Sequence, residues 1–197
     1  RWMLSQFTAS GPTYFNCVAL STSSDPTGTY FRWAFSTGAN FPDYPKYGVW
    51  TDSYVITTRE FGPTVEYGIG VYGLEKNKML NGQPARAVRY FLDGNDPAIL
   101  PLVGDGLLPA DIDGKQKPKQ DAAIPLVGTQ DDGGGYGATF DAVNVWDFSV
   151  KWRSTPLSSA EWPWSPSRRP VSSKSCPPSP PAPVSTASDG SSRYRSA

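Results

Sequence analysis

Three times before residue 152 the sequence repeats one order: a short apolar run, a turn, a second run, and then a third. The first unit is Trp2 to Phe7, Cys17 to Ser21 and Tyr30 to Phe35. The second is Tyr47 to Trp50, Tyr54 to Arg59 and Gly70 to Leu74. The third is Leu107 to Asp111, Ala123 to Thr129 and Val143 to Trp152. Gly, Pro, Asn and Asp punctuate the runs, which is the spacing of meandering antiparallel strands. A unit of roughly 45 to 60 residues with three or four strands suits a propeller blade better than a sandwich. Three units fall short of the roughly four to eight blades of a closed ring. The expected fold is therefore all-β, built of antiparallel propeller-like blades that form an incomplete propeller.

Within the runs, the period of two assigns faces. Trp146, Phe148, Val150 and Trp152 share one side of a strand, while Asp147, Ser149 and Lys151 share the other. Cys17 to Ser21, Ser53 to Arg59 and Gly70 to Leu74 alternate less, as strands do when both faces are covered. Helical periodicity is confined to Leu74 to Gly82, a turn or two that Gly82 can end in the left-handed conformation. It reads as a surface connection.

After Trp152 the composition changes. Ser165-Pro166-Ser167-Arg168-Arg169-Pro170 and Cys176-Pro177-Pro178-Ser179-Pro180-Pro181 carry no apolar period and too little apolar surface to offset the entropy of ordering. The expected division is a β segment over residues 1–153 and a disordered Pro/Ser/Arg-rich tail over 154–197. The tail is either a linker or the product of a shifted reading frame, since GC-rich DNA read out of frame yields the same residues.

Several classes of chemistry are closed off. The chain has no histidine, which excludes Ser-His-Asp and Cys-His nucleophilic sites and any zinc site built on imidazole. Lys and Arg number 18, as do Asp and Glu, so no net field argues for nucleic acid. No run approaches the roughly 20 apolar residues that span a bilayer. The chain opens at Arg1 and passes directly into apolar sequence. It reads as a mature or truncated chain lacking any export signal. Cys17 reads as a buried thiol, with a bridge to Cys176 as the alternative.

Phe41 to Asp52 is the most unusual stretch, with two Pro, several aromatics and two carboxylates in a dozen residues. In one reading Tyr44, Tyr47 and Trp50 stack on sugar rings while Asp43 or Asp52 hydrogen-bonds hydroxyls. In the other, which we favour, the rings fill the gap between adjacent blades. Ala110-Asp111-Ile112-Asp113-Gly114 and Gln130-Asp131-Asp132-Gly133-Gly134-Gly135 gather oxygen donors in glycine-bearing turns, as calcium requires. Asp111, Asp113, Asp131 and Asp132 are the candidate ligands, against the commoner case of solvated turn acids. A strand-like segment follows the glycine run, which argues against a phosphate-binding loop.

Arg1 to Phe7, Ser23 to Tyr30, Phe41 to Trp50 and Leu107 to Gly114, taken in order, resemble a family of large secreted bacterial β-propeller proteins, labelled BNR-repeat or sialidase-like. The resemblance covers about residues 1–152. Ser24 to Tyr30 is similar to the Asp-box hairpin of such propellers, with one residue more between Asp25 and Gly28, and there the Asp is a fold element. The resemblance implies an extracellular or cell-envelope propeller that presents a surface to glycans or cell-envelope proteins. It carries over no catalytic residues, and the arginine cluster of true sialidases is not recognisable. The alternatives are a carbohydrate-active hydrolase using an Asp pair and a structural array that spaces other domains.

Overall fold

A computed structural model describes residues 1–64, 67–119 and 122–152. The readings that fall on residues 154–197, including the disorder of the tail and the pairing of Cys176, lie outside the described residues. Ten strands and two short helices follow one another: β1 (Met3–Phe7), β2 (Tyr14–Ser21), β3 (Tyr30–Gly38), β4 (Phe41–Val49), β5 (Ser53–Phe61), β6 (Gly68–Glu75), α1 (Lys76–Leu80), β7 (Ala87–Asp93), α2 (Leu100–Val103), β8 (Leu107–Pro109), β9 (Ile124–Gln130) and β10 (Ala142–Phe148).

They form three antiparallel sheets: β1-β2-β3, β4-β5-β6-β7 and β8-β9-β10. Each repeat unit of the sequence is one sheet, every sheet is a meander in chain order, and none closes on itself. The second sheet holds one strand more than its unit, β7. Its Arg89 interrupts the apolar pattern because it serves a buried carboxylate on β5.

The three sheets lie in series, and the two cores show why. Tyr54 and Ile56 of β5 and Tyr72 and Leu74 of β6 pack with Val18, Leu20 and Phe35 of the first sheet. Val55 of β5, with Ile69 and Val71 of β6, packs instead with Leu107, Ile124, Leu126, Trp146 and Phe148 of the third. Successive residues of a strand point to opposite faces, so the middle sheet sends one set into each core. All of β6 is buried, matching the weak alternation of Gly70 to Leu74.

For β2 the expectation of two covered faces does not hold. Asn16, Val18 and Leu20 are buried, whereas Cys17 and Ala19 are only partly so, because the first sheet is an outer layer. Cys17 makes no disulfide among the described residues.

On β10, Trp146 and Phe148 are buried and Asp147 is exposed. The ladder stops at Phe148. Beyond it Val150 still packs on the core, and Trp152 donates its indole N–H to Ser53 Oγ at 3.0 Å.

The short helix appears as α1, and Gly82 follows at a φ of 64°. It is more than a surface connection: Met79 is wholly buried in the core between the first and second sheets. Glu75, just before it, takes a two-pronged ion pair from Arg86, with N–O distances of 2.8 and 2.9 Å. That pairing holds the Glu75 carboxyl below its ordinary range.

At the heart of the second sheet Glu60 is fully buried. Its carboxylate accepts from Tyr72 Oη, from the Arg89 guanidinium, from Thr58 Oγ1 at 3.2 Å and from Asn40 Nδ2 at 3.1 Å. A buried carboxylate persists only when its lone pairs are satisfied. Here β5, β6, β7 and the β3–β4 turn each supply donors. Burial raises the Tyr72 phenol well above its usual range, so it stays a neutral donor.

Candidate functional site

Strand β4 is an edge of its sheet, a position that tolerates Pro42 and Pro45, which have no N–H to give to a ladder. Between them the register slips. Asp43 pairs with Arg59 and Lys46 with Thr57, so three steps on β4 match two on β5, and the strand bulges. At the bulge Tyr44 takes a φ of 48°, the one positive value on a non-glycine among the described residues. Its own backbone N–H is held by Asp43 Oδ1 at 2.9 Å. Such a conformation is costly for a bulky residue and marks a place where the surroundings over-determine the chain.

The bulge turns the Tyr44 ring into solvent, 58% exposed, with the Arg59 guanidinium 4.8 Å and Lys46 Nζ 5.7 Å from its centroid. Arg59 in turn pairs with Asp105 at 3.2 Å and donates from Nε to the Asp105 carbonyl at 2.6 Å. Tyr136 donates its hydroxyl to Asp105 Oδ1 at 2.6 Å. Its ring stacks on Tyr67 at 5.8 Å, and Tyr67 meets Phe61 at 5.7 Å. The hydrogen bond to Asp105, followed by burial, pushes the Tyr136 phenol up; burial does the same to Tyr67. Both remain neutral hydroxyls across the physiological range.

The surface therefore runs from Tyr44 through Arg59 and Asp105 to Tyr136, Tyr67 and Phe61, and joins the second sheet to turns of the third. Exposed ring faces stack on apolar faces of a ligand, and the Arg59–Asp105 pair puts a guanidinium beside a carboxylate. Of these residues the sequence singled out only Tyr44, together with its neighbour Asp43, which holds its N–H. Arg59, Phe61, Tyr67, Asp105 and Tyr136 are scattered along the chain and are gathered by strand register, which no local pattern announces.

The other members of the aromatic stretch go elsewhere. Tyr47 is half-buried against the core between the first and second sheets, and burial pushes its phenol up. Trp50 is buried in the other core and donates Nε1–H to the Ala122 carbonyl at 2.8 Å. Asp52 accepts from Ser53 Oγ at 3.1 Å. It lines, with Asn77, Ser149, Lys151 and Trp152, a cavity of about 370 Å³.

Asp43 and Asp52 thus stand at opposite ends of the β4–β5 pair. Asp43 faces Arg59 while Asp52 precedes Ser53, and six strand steps put them roughly 20 Å apart. A glycosidase acid pair requires about 5 to 9.5 Å, so these two carboxylates do not form one.

Neither glycine turn joins the other. Asp111 Oδ1 accepts from the Val49 N–H at 2.8 Å, and the Ile112 N–H reaches the Val49 carbonyl at 3.0 Å. Asp111 is thereby a latch on the free edge of β4. Asp113 is exposed. Asp131 and Asp132 come together with Asp141, which the sequence reading did not include. One oxygen from each lies within 4.8 Å of the others, all three being exposed. Asp131 Oδ1 also caps the Gly133 N–H at 2.8 Å, and Asp141 Oδ1 takes the Asp132 N–H at 3.2 Å. The donor set is the hard oxygen type that calcium prefers, and the same hydrogen bonds are those of a solvated turn. Asp25 also closes a turn: its Oδ1 accepts from Thr27 N and Thr27 Oγ1, both at 2.8 Å.

Comparison with family models, with curated proteins and with solved structures returns no match for this chain. Among the described residues no helix is long and apolar enough to cross a membrane.

Proposed function

We propose that this chain is a segment of an extracellular, propeller-type module that binds glycans through the surface centred on Tyr44. The observation that carries the reading is the Tyr44 bulge. An exposed aromatic ring sits on a backbone conformation that only a specific local arrangement sustains, with Lys46 and Arg59 near its ring and Arg59 paired in turn with Asp105. A packing role does not require an exposed ring at such a φ. Pyranose rings present an apolar C–H face and a rim of hydroxyls, which suit the Tyr44 face and the Arg59–Asp105 pair respectively. The propeller reading is supported by three chain-ordered meanders laid in series and by the resemblance of the four sequence blocks.

The test is a glycan array probed with the wild-type chain and with Tyr44→Ala. Binding to a defined set of neutral or cell-envelope glycans, lost at least tenfold in the variant with an unchanged melting midpoint, supports the reading. No binding by the wild type, or binding indifferent to Tyr44, overturns it.

A further inference from the structure

At the far end of the β4–β5 pair from Tyr44, the turn of Asp52, helix α1 and the segment after β10 come together around a cavity of about 370 Å³. That size lies within the roughly 300 to 1,000 Å³ of small-molecule pockets. Ile124 and Val150, which pack in the core between the second and third sheets, give it an apolar base. Asp52, Asn77, Ser149 and Lys151 give it a polar rim.

Trp152 also lines the cavity and is the residue that sets its chemistry. The ladder of β10 stops at Phe148, yet this ring beyond it is held at two points. Its indole N–H donates to Ser53 Oγ at 3.0 Å, and the Arg86 guanidinium lies 5.4 Å from its centroid. Both partners are fixed in turn. Ser53 is fully buried and donates to Asp52 Oδ1 at 3.1 Å, and Glu75 holds Arg86. A chain of hydrogen bonds therefore runs from the ring through Ser53 to Asp52 and sets the aromatic wall and the carboxylate relative to each other. Such pre-organisation removes part of the ordering cost of binding.

The rim keeps polar groups available. Asp52 engages Oδ1 within the chain and forms no ion pair among the described residues. Lys76 of α1 donates to the Trp50 carbonyl instead, at 2.5 Å. With Asp52 and Lys151 opposite in charge, the rim favours a neutral ligand over an anion or a cation. Asp52 accepts only, Lys151 donates only, and Asn77 and Ser149 do both, which suits a ligand ringed with hydroxyls. A pyranose has that rim of hydroxyls and an apolar C–H face to lay on an indole. We propose that this cavity binds one neutral hexose unit, hydrogen-bonded by Asp52 and Asn77 and stacked on Trp152. The site is separate from the Tyr44 surface and does not depend on it.

The test titrates the full chain with glucose, galactose, mannose and N-acetylglucosamine in turn, and follows the Trp152 indole N–H signal by NMR, assigned by its loss in Trp152→Phe. At least one of the four sugars is expected to shift this signal saturably. Asp52→Asn is expected to weaken that binding at least tenfold with the melting midpoint retained, since Asn still accepts from Ser53. Asn77→Ala, at an exposed position of α1, is the second variant should the first fail to fold. Tyr44→Ala leaves the titration unchanged.

If none of the four sugars saturates, the proposal is overturned. Binding as strong in Asp52→Asn as in the wild type overturns it as well, because the sugar then sits elsewhere. Glycine, run alongside as a zwitterion, overturns the sugar assignment if it shifts the signal where the sugars do not. Binding lost in Tyr44→Ala and kept in Asp52→Asn sinks this cavity alone and leaves the Tyr44 surface standing. The reverse pattern supports the cavity whatever the glycan array returns for Tyr44.

Discussion

Gly70 and Glu60 occupy space that admits no side chain between them: a Cβ on Gly70 would collide with Glu60 Oε1 and crowd Thr58 Oγ1. The buried carboxylate and its four donor residues fit because β6 carries hydrogen at that position.

Gly70→Ala is therefore expected to destabilise the chain by about 1–3 kcal/mol, the range for overpacking a filled interior. Glu60→Ala removes the partner of Arg89 and Tyr72 and is expected to cost more, because buried donors are left unsatisfied. Urea unfolding of both variants checks the order, and a Gly70→Ala protein as stable as the wild type would show that the network yields without cost.

Trp50 and Trp146 are both anchors of the core between the second and third sheets. Truncation of either to Ala is expected to cost about 3–5 kcal/mol, with Trp50 adding the loss of its bond to Ala122. Tyr44→Ala, by contrast, is expected to cost less than either truncation, because the Tyr44 ring is exposed and Ala meets the same positive φ as Tyr. Thermal melts of the three variants separate packing from binding within one stretch of sequence, and a Trp50→Ala protein that melts with the wild type contradicts the assignment.

Glu75 carries a pH signature. Its carboxyl is depressed first by the Arg86 hydrogen bond, so its contribution is full above the unfolded value near 4.5 and is lost as pH falls through the lower folded value. Arg86→Gln is expected to remove that contribution, on the order of 1 kcal/mol given the partial exposure of Arg86, and to flatten the loss of stability below pH 4.5. Denaturant midpoints measured between neutral and acid pH check this; equal acid sensitivity in both proteins would refute it.

Asp111 latches the edge of β4 from the third sheet. Asp111→Ala is expected to cost about 1–2 kcal/mol, the loss of a charged hydrogen-bond acceptor, and to speed amide exchange at Val49 without affecting the rest of β4–β5. Exchange measured by NMR decides, and an unaltered Val49 amide would show that the strand edge holds without it.

The fold was legible where its information is local. Period-two runs and their punctuation place nine of the ten strands in three groups, because each ladder joins strands that follow one another in the chain. Strand β7 escaped since Arg89 makes sense only beside Glu60, which lies 29 residues earlier. The candidate site was legible by half. Pro42, Pro45 and the crowded aromatics announce an irregular edge strand, but period counting gives no warning that Tyr44 turns out while Trp50 turns in. The extra residue between Asp43 and Lys46 reverses the alternation, and the partners Arg59, Asp105 and Tyr136 arrive from three separate turns and strands.

The chain order of the sheets has a consequence for how the molecule is made. Every hydrogen-bonded ladder joins neighbours in sequence, so each meander pays only short loop-closure costs and can assemble as soon as its strands have been synthesised. The middle sheet differs from its neighbours: β6 is buried along its whole length, and one of its two faces is covered by the third sheet, which is translated after it. Until β8 to β10 emerge, the second meander holds its Glu60 network closed while one greasy side stands open to water, and that interval is when the nascent chain is most exposed to aggregation.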